Sequence, residues 1–195
     1  MTPQRRLVLG STSRYRAELL RRLGLHFEQR APGTIEAELA GEAPAERAMR
    51  LATAKAVDAG TGLTNTLVIG SDQVAELDGL LLEKPGTQAR AQEQLSACSG
   101  HTVCFHTALC VFDTASGQHR THLDLTRVHF RYLTQEEICR YIAHEQPLDC
   151  AGSFKCEGLG ISLFERIENS DPTALIGLPL IALARLLREA GLNLP

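Results

Sequence analysis

Tryptophan is absent from this 195-residue sequence, and aromatic residues make up only 5% of it. Long apolar runs are absent as well. No stretch approaches the roughly 18 residues of a membrane-spanning helix, and the first residues lack the apolar core of a signal peptide. We therefore expect a cytosolic protein that does not interact with membranes. The length suits one domain, residues 1–195, with a sizeable buried core.

An excess of positive charge is also missing. The formal net charge is −3 at pH 7, which gives no overall attraction to nucleic acids or to anionic membranes. Any phosphate group must therefore be bound by a local cluster of side chains. This favours a small anionic ligand over a polymer.

The six cysteines include no C-x-x-C pair and have no histidine at zinc-finger spacing. A zinc site and a thioredoxin-like motif are therefore not indicated. We expect the cysteines to be small buried apolar side chains in a reducing compartment. The seven histidines indicate no metal site either, since His119 and His122 cannot face the same side of a strand, where the period is two.

The stretch VIGSDQVAELDGLLLEKP, residues 68–85, contains an acid, an amide and a lysine close together. The apolar residues 67–69 indicate a buried strand, and Gly70-Ser71-Asp72 follows at once. We therefore predict that Asp72 lies where the strand leaves the core, which is a common position for a catalytic carboxylate.

The same stretch predicts a β-hairpin. Asp78-Gly79 is a typical two-residue hairpin turn because both residues tolerate positive φ. The return strand ends near Lys84, so the two open ends of the hairpin, and with them Asp72 and Lys84, are predicted to share one site. The alternative is that Asp72 only caps a turn and that Lys84 is solvated.

A second candidate site lies near the start of the chain. Arg6–Leu9 is predicted as a strand, residues 10–13 as a small-residue turn, and residues 14–23 as a helix ended by Gly24. A helix N-terminus after such a turn can bind an anion through its backbone N–H groups and its dipole. The polar side chains that accompany it are Ser11, Ser13, Arg14 and Arg16. The alternative is an N-cap serine with solvated arginines, since no P-loop motif is present.

The remaining chain predicts further helices and strands. Residues 44–59 have helical spacing, with Lys55 beside the apolar stripe, and Glu36 lies in an acidic loop. The other predicted elements are a strand or extended segment at 27–31, a helix at 87–97, extended runs at 102–113 and 119–133, a helix from 135 to 144 with Thr134 as its N-cap, a strand at 161–165 and a helix at 180–190. A shift in the apolar alternation between residues 125 and 128 predicts a β-bulge. The mixture indicates an α/β fold with a mixed sheet, largely antiparallel or partly parallel.

Taken together, several segments resemble the Maf family of nucleoside triphosphate pyrophosphatases, in particular its 7-methyl-GTP pyrophosphatase branch. These segments are LVLGSTSRYRAELLRRLGLHFE, VIGSDQVAELDGLLLEKP, HFRYLTQEEICRYI, PLDCAGSFKCEGLGISLFERIE and LIGLPLIAL, which extend along nearly the whole chain. The resemblance implies a Maf or ITPase-like fold, with a mixed twisted β-sheet flanked by helices and two lobes around a nucleotide-binding cleft. A homodimer is compatible with such a fold.

The resemblance also implies an activity, the hydrolysis of 7-methyl-GTP to 7-methyl-GMP and diphosphate with a divalent metal cation, Mg²⁺ or Mn²⁺. The positions that match the family's motif residues are Ser11, Arg16, Glu36, Lys55, Asp72 and Lys84. By resemblance, Asp72 is the general base or a metal ligand, and Glu36 is a second metal contact. The cationic side chains and Ser11 would bind the phosphates, whose negative charge otherwise repels an attacking water.

Base selection in this family follows three positions, which here hold Tyr15, Gln73 and Glu157. Methylation at N7 makes the purine cationic, so Glu157 is a suitable partner and an aromatic ring can stack on the base. Tyr15 stands where this branch usually has tryptophan, which predicts weaker stacking. The other departures from the family pattern are Arg14 for proline, Ala17 for one of two arginines and Ile35 for an acid beside Glu36.

Two other functions are compatible with the resemblance. One is a pyrophosphatase of the dTTP/UTP type, against which Gln73 and Glu157 argue. The other is a non-catalytic nucleotide-binding regulator of septum formation, against which the set of Asp72, Lys55 and Lys84 argues. A role in DNA binding is disfavoured by the negative net charge.

Overall fold

The computed structural model of the protein describes residues 5–195. The chain forms two compact units. The first comprises the chain up to Gln73 together with Thr107–Asp124 and Asp171–Pro195, and the second comprises Val74–His106 and Leu125–Ser170. None of the helices in residues 5–195 is long and apolar enough to cross a membrane.

Seven strands and five α-helices occur in the described part of the chain. The strands are β1 (Arg6–Leu9), β2 (Glu28–Gln29), β3 (Thr66–Leu77), β4 (Leu80–Leu81), β5 (Thr102–Asp113), β6 (His119–Phe130) and β7 (Phe164–Glu168). The helices are α1 (Arg14–Arg21), α2 (Pro44–Gly60), α3 (Gln88–Cys98), α4 (Gln135–Glu145) and α5 (Leu180–Glu189). The strands form one mixed sheet in the order β2-β1-β3-β5-β6-β7, with β4 paired to β3. The predicted α/β class with a mixed sheet is confirmed.

The parallel part of the sheet lies in the first unit. β1 pairs in parallel with β2 and with β3, and Leu9 lies opposite Ile69 in the pair with β3. Gly10 N donates to Ile69 O at 2.8 Å, so the turn after β1 begins beside the middle of β3. Parallel pairing thus brings residues 10–13 next to the segment of β3 that follows Ile69.

The core of the first unit is formed by the apolar faces of α1 and α5 packed on the strands. Its fully buried members include Leu9, Leu20, Ile69, Leu178, Leu183 and Leu187. Apolar residues at helical spacing on α5 make this packing continuous along the helix.

The strand that contains Asp72 differs from the prediction. β3 continues without a break from Thr66 to Leu77, so Asp72 lies in the middle of a long strand and not at its exit from the core. Gly70 does not interrupt the strand, because a β-strand tolerates a glycine at a position where another segment of backbone approaches closely.

The predicted hairpin is confirmed. β3 and β4 pair antiparallel, with Leu77 opposite Leu80. The connecting residues Asp78 and Gly79 have φ of 50° and 84°, which are the positive values that the Asp-Gly pair predicts.

The second unit is held by an aromatic cluster. The rings of Phe105, Phe130, Phe154 and Phe164 meet edge to face, with centroids 4.8–5.6 Å apart. This geometry is the favoured one for aromatic pairs. With no tryptophan in the chain, these phenylalanines supply the large apolar surface of this unit.

One strand prediction needs correction. The last strand begins at Phe164 and not at Ile161, because Leu159–Leu163 forms a 3₁₀ turn. Within residues 27–31, which were predicted as a strand or an extended segment, the strand is Glu28–Gln29.

The predicted bulge between residues 125 and 128 is wrong. In β6 the buried side chains keep strict alternation, and they include Asp124 and Thr126 while Leu123 is partly exposed. Asp124 and Thr126 lie on the buried face of the strand. The positions of the apolar residues therefore did not indicate which face is buried, and the predicted bulge does not follow. An irregularity occurs later, between His129 and Phe130 in the pairing with β7.

All six cysteines are free. Cys98 and Cys110 are buried as predicted, whereas Cys139 is exposed and the other three are partly buried. Burial raises the pKa of the Cys98 thiol to about 12 and that of Cys110 to about 11, so these two thiols are chemically inert at neutral pH. Among residues 5–195, no group of three or more His, Cys, Asp and Glu side chains is arranged to hold a metal ion.

Candidate active site

The turn between β1 and α1 carries the first candidate residues. Ser13 is the N-cap of α1, where its Oγ accepts a hydrogen bond from Arg16 N at 3.4 Å. Ser11 is buried, and its Oγ accepts from Ser13 N at 3.1 Å. A Cβ on Gly10 would lie 2.8 Å from Ala59 Cβ, so glycine allows this turn to lie directly against α2. The capping serine is therefore Ser13, whereas Ser11 closes the turn.

Arg16 points back from α1 into the site. Its Nε donates to Gly177 O at 2.9 Å, and Nη1 lies 3.5 Å from Ser11 Oγ. Burial lowers the pKa of the Arg16 guanidinium, while attraction to Asp72 and Glu36 opposes that shift. The group still carries its charge at neutral pH, because arginine starts from a pKa above 12.

Lys55 forms the centre of a charged cluster. It projects from α2, is 8% exposed, and its Nζ lies 2.6 Å from Asp72 Oδ1 on β3. The same Nζ lies 2.6 Å from Glu36 Oε1 in the loop before α2. The sequence placed Lys55 beside the apolar stripe of a helix, and the structure shows that it reaches inward to two carboxylates.

Asp72 is almost completely buried, at 6% exposed. Burial raises the pKa of its carboxyl group, and Glu36 adds to the rise, whereas Lys55 and Arg16 act in the opposite direction. Lys55 donates to Oδ1 alone, and no described residue donates a hydrogen bond to Oδ2. One oxygen of this carboxylate therefore remains available to a water molecule or a cation.

The close contact of α2 with β3 makes this cluster geometrically possible. A Cβ on Gly70 would lie 2.2 Å from Ala52 O and 2.6 Å from Ala56 N, which are backbone atoms of α2. Only glycine permits such an approach. The helix therefore lies against the strand, and Lys55 reaches Asp72 two positions further along β3.

Gln73, the next residue on β3, is anchored by its amide nitrogen. Gln73 Nε2 donates to Thr107 Oγ1 at 2.9 Å and lies 3.1 Å from both Ala174 O and Leu175 O. Ser71, on the same strand, is within hydrogen-bond distance of Gly177 O at 3.0 Å.

The turn that supplies these carbonyl groups was missed by sequence reasoning. Its Asp171-Pro172 pair is a signal for a turn. Nothing in the sequence, however, indicates which side chains its carbonyls would contact.

Tyr15 already has a cationic neighbour. Arg14 Nη2 donates to Tyr15 Oη at 2.7 Å, and the Arg14 guanidinium lies 4.8 Å from the ring centroid. This is cation–π distance. The ring predicted to stack on a cationic base therefore contacts, in this structure, the arginine that replaces the family's usual proline.

Lys84 and Glu157 belong to the second unit. Both are exposed. Lys84 follows β4, and Glu157 Oε2 lies 3.4 Å from Cys156 Sγ. Burial, followed by the charge of Glu157, raises the pKa of the Cys156 thiol to about 12.

The first unit thus brings together five of the residues singled out in the sequence, namely Ser11, Arg16, Glu36, Lys55 and Asp72. Gln73 contacts the same turn as Arg16, through Ala174 O rather than Gly177 O. The five residues combine two cations, two carboxylates and a hydroxyl. Such a set can bind an anionic ligand with its cations and can activate water with a carboxylate.

Comparison with known protein families gives a match along the chain. The family model described as Maf-like protein matches residues 6–190. Among curated relatives, a protein of Xanthomonas oryzae pv. oryzae (strain MAFF 311018) is 58% identical over 190 residues, covering 97% of this chain and 99% of its own. A protein of Hahella chejuensis is 50% identical over 195 residues, covering 100% and 98%. Both relatives are named 7-methyl-GTP pyrophosphatase.

A solved structure gives independent support for the fold. The structure of a HAM1 protein from Coxiella burnetii aligns with a TM-score of 0.54 and 16% sequence identity, covering 95% of this chain and 100% of that one. At this identity the match concerns the fold alone, and it agrees with the α/β architecture with a mixed sheet.

Proposed function

The chain belongs to the Maf-like protein family, and we propose that it is a nucleoside triphosphate pyrophosphatase that hydrolyses 7-methyl-GTP to 7-methyl-GMP and diphosphate. The relatives that are 50% and 58% identical over nearly their whole length carry that name. The observation that carries the proposal is the buried ion pair between Lys55 and Asp72, with Glu36 on the same ammonium.

The reaction adds one water to the substrate and breaks one P–O–P linkage. A water oxygen bonds to phosphorus, the bridging P–O bond between the α- and β-phosphates breaks, and diphosphate leaves with the bridging electron pair. The water must lose a proton as it attacks. The negative charge of the triphosphate must be neutralised at the same time, so the site needs both a base and several cations.

Asp72 is the residue that we assign to water activation, either as general base or as a metal ligand. Its raised pKa brings the carboxyl closer to neutral pH, which makes it a more effective base. Its Oδ2 accepts no hydrogen bond from the described residues and is therefore suited to accept one from water. Lys55, bound to Oδ1, fixes the orientation of the carboxylate.

We assign the binding of the phosphates to the cationic side chains. Arg16 would use its Nη groups for phosphate oxygens, since Nε donates to Gly177 O at 2.9 Å and Nη1 makes only a 3.5 Å contact with Ser11 Oγ. Lys55 would exchange a carboxylate contact for a phosphate oxygen, and Ser11 would donate its hydroxyl to the terminal phosphate. Lys84, from the second unit, is assigned to the same task on the family resemblance alone.

The carboxylates fit the divalent metal that the family resemblance implies. Glu36 and Asp72 offer only oxygen donors and meet at one ammonium. Mg²⁺ is typically held by one or two carboxylates together with water and substrate phosphates, which agrees with the lack of a three-residue cluster among residues 5–195. When bound, Mg²⁺ or Mn²⁺ would neutralise phosphate charge and acidify water.

We assign recognition of the nucleobase to Tyr15, Gln73 and Glu157. A 7-methylated guanine is cationic, so the acidic Glu157 is a suitable partner, and the ring of Tyr15 can stack on it as it now does on Arg14. The alternative within the same enzyme class is a preference for dTTP and UTP.

The test is pyrophosphate release by the purified protein with Mg²⁺ or Mn²⁺. The substrates to compare are 7-methyl-GTP, GTP, dTTP, UTP, CTP and ITP. We expect the highest kcat/KM for 7-methyl-GTP. Preference for another nucleobase would agree with the proposed reaction but contradict 7-methyl-GTP as its substrate. No turnover of any nucleotide would refute the proposed function.

A further inference from the structure

Residues 171–178, which we call the carbonyl turn, contact several side chains of the site with their backbone oxygens. Gly177 O accepts from Arg16 Nε at 2.9 Å and lies 3.0 Å from Ser71 Oγ. Ala174 O and Leu175 O both lie 3.1 Å from Gln73 Nε2. One short turn therefore contacts both the residue assigned to phosphate binding and the residue assigned to base selection.

The contacts with the carbonyl turn fix the orientation of Gln73. Carbonyl oxygens can only accept, so the amide nitrogen must face the turn. Thr107, which is fully buried, reinforces this because its hydroxyl donates to Ala174 O at 3.1 Å and accepts from Gln73 Nε2 at 2.9 Å. Gln73 is left with Oε1, an acceptor, for the ligand. Its partner on a base is therefore an N–H group.

The carbonyl turn also orients Arg16. Because Nε donates to Gly177 O, the guanidinium is held against the turn, and its Nη1 lies 3.5 Å from Ser11 Oγ. Gly177 has φ of 120°, a conformation that side-chain-bearing residues rarely adopt. The direction of this carbonyl is therefore set by the backbone of the turn.

The carbonyl turn is itself held by Asp171, a carboxylate that is 3% exposed. Asp171 Oδ1 accepts from Thr173 N at 2.9 Å and from Thr173 Oγ1 at 2.6 Å, and Oδ2 accepts from Ile181 N at 2.6 Å. Within residues 5–195, Asp171 forms no ion pair with Lys, Arg or His. Its charge is stabilised by the N–H groups at the start of the turn and of α5.

We propose that Asp171 is a positioning residue for the nucleotide site: it fixes the carbonyl turn, and the turn fixes Arg16 for the phosphates and Gln73 for the base. This proposal rests on the proposed function. Among residues 5–195, no hydrogen bond or ion pair joins Asp171 to a residue assigned to the reaction. It therefore acts through the backbone of the turn and through Arg16 and Gln73.

The test compares the wild type with Asp171→Asn, which replaces one accepting oxygen by an amide NH₂ group. Binding of inorganic tripolyphosphate, measured by calorimetry with Mg²⁺, reports on Arg16 without any base. The affinity for 7-methyl-GTP, measured as 1/KM and divided by the tripolyphosphate affinity, reports on Gln73, because only the nucleotide carries a base. We expect tripolyphosphate affinity and this ratio each to fall about tenfold, since each loses one well-oriented hydrogen bond. The rise in KM should exceed the loss in kcat.

A matched control separates positioning from stability. Thr134→Val removes the N-cap hydroxyl of α4 in the second unit, where Thr134 Oγ1 accepts from Glu137 N at 3.3 Å. It weakens a helix N-terminus, as Asp171→Asn does, but leaves the carbonyl turn intact. We expect its melting temperature to fall while the tripolyphosphate affinity and the ratio of 7-methyl-GTP affinity to tripolyphosphate affinity stay at wild-type values.

The outcomes are distinct. If Asp171→Asn lowers the melting temperature but changes neither readout, Asp171 only caps α5 and the proposal is wrong. If Asp171→Asn does not fold, Thr173→Val takes its place, because its hydroxyl donates to Asp171 and accepts from Leu180 N at 2.9 Å, and the same two readouts decide. If the wild type does not hydrolyse 7-methyl-GTP, the proposed function fails, and tripolyphosphate binding still tests the link between Asp171 and Arg16.

Discussion

Lys55 Nζ lies 2.6 Å from Asp72 Oδ1, and both residues are more than nine-tenths buried. Two buried charges stabilise each other only when their geometry is good and their other hydrogen bonds are satisfied. Here the second contact of the ammonium is Glu36. The pair is therefore better explained as part of a reactive site than as a source of stability.

Asp72→Asn should fold and lose nearly all turnover. The amide has the size of the carboxylate but cannot accept a proton from water, so we expect kcat to fall about 100-fold or more. Pyrophosphate release with 7-methyl-GTP measures this, and far-UV circular dichroism checks the fold. Wild-type turnover in the folded variant would remove Asp72 from the reaction.

The activity should be lost at acid pH with a midpoint above the ordinary range of an aspartate. Turnover requires ionised Asp72, and burial raises its pKa above the value of about 3.9 found in unfolded chains. Turnover should therefore disappear as the pH falls through that raised pKa. A profile of kcat against pH gives the midpoint.

Lys55→Met should move that midpoint to higher pH, because Lys55 is the main group that lowers the Asp72 pKa. Lys55→Arg keeps the positive charge and is the control, with a smaller shift expected. A midpoint unchanged in Lys55→Met would show that Asp72 is not the titrating group.

Glu36→Gln should raise the Mg²⁺ concentration needed for half-maximal activity. It removes the charge of the second carboxylate at the ammonium of Lys55, and we expect about a tenfold increase. Titration of EDTA-treated protein with Mg²⁺ measures it. Glu38→Gln, in the same loop and paired with Arg47, is the control and should leave the Mg²⁺ requirement unchanged. An unchanged requirement in Glu36→Gln would exclude Glu36 from metal binding.

Gly70→Ala should destabilise the protein strongly. Its Cβ would lie 2.2 Å from a backbone oxygen of α2, so the helix must move away from β3, at a cost of about 3 kcal/mol. Urea unfolding measures the change. Gly33→Ala is the control, since its Cβ would meet Asp58 Oδ2 at an ordinary 3.6 Å, and it should have little effect. Equal stability of the two variants would contradict the close packing of α2 on β3.

Asp113→Asn should lower stability at neutral pH and lose this effect in acid. Hydrogen bonds from Arg5, followed by the N–H of Ala115, lower the Asp113 pKa to about 2. A lowered folded-state pKa gives stability that is present above the unfolded value, near pH 3.9, and is lost as the pH falls towards 2. The difference between the melting temperatures of the two proteins, measured from neutral pH down to about pH 2, should shrink as the pH falls below about 3.9. A constant difference at all pH values would exclude this contribution.

Local features of the chain were predictable because they depend on neighbouring residues. The bounds of α2 and the cap of α4 follow from proline, from the capping box of Thr134 and Glu137, and from apolar spacing. The Asp78-Gly79 turn follows from the tolerance of these residues for positive φ. The predicted bulge in β6 failed because Asp124 and Thr126 are buried on the inner face, and burial of polar groups depends on partners that lie elsewhere in the chain.

The family, and with it the set of candidate residues, could be read from the printed order of amino acids, because long segments preserve the residue types that this chemistry needs. The contacts among those residues could not be read there. Lys55 meets Asp72 because Gly70 lets α2 lie on β3, and Arg16 and Gln73 are oriented by carbonyls about 100 or more residues away along the chain. A backbone carbonyl is chemically the same in every residue, so its role becomes visible only when the folded chain brings it next to its partner.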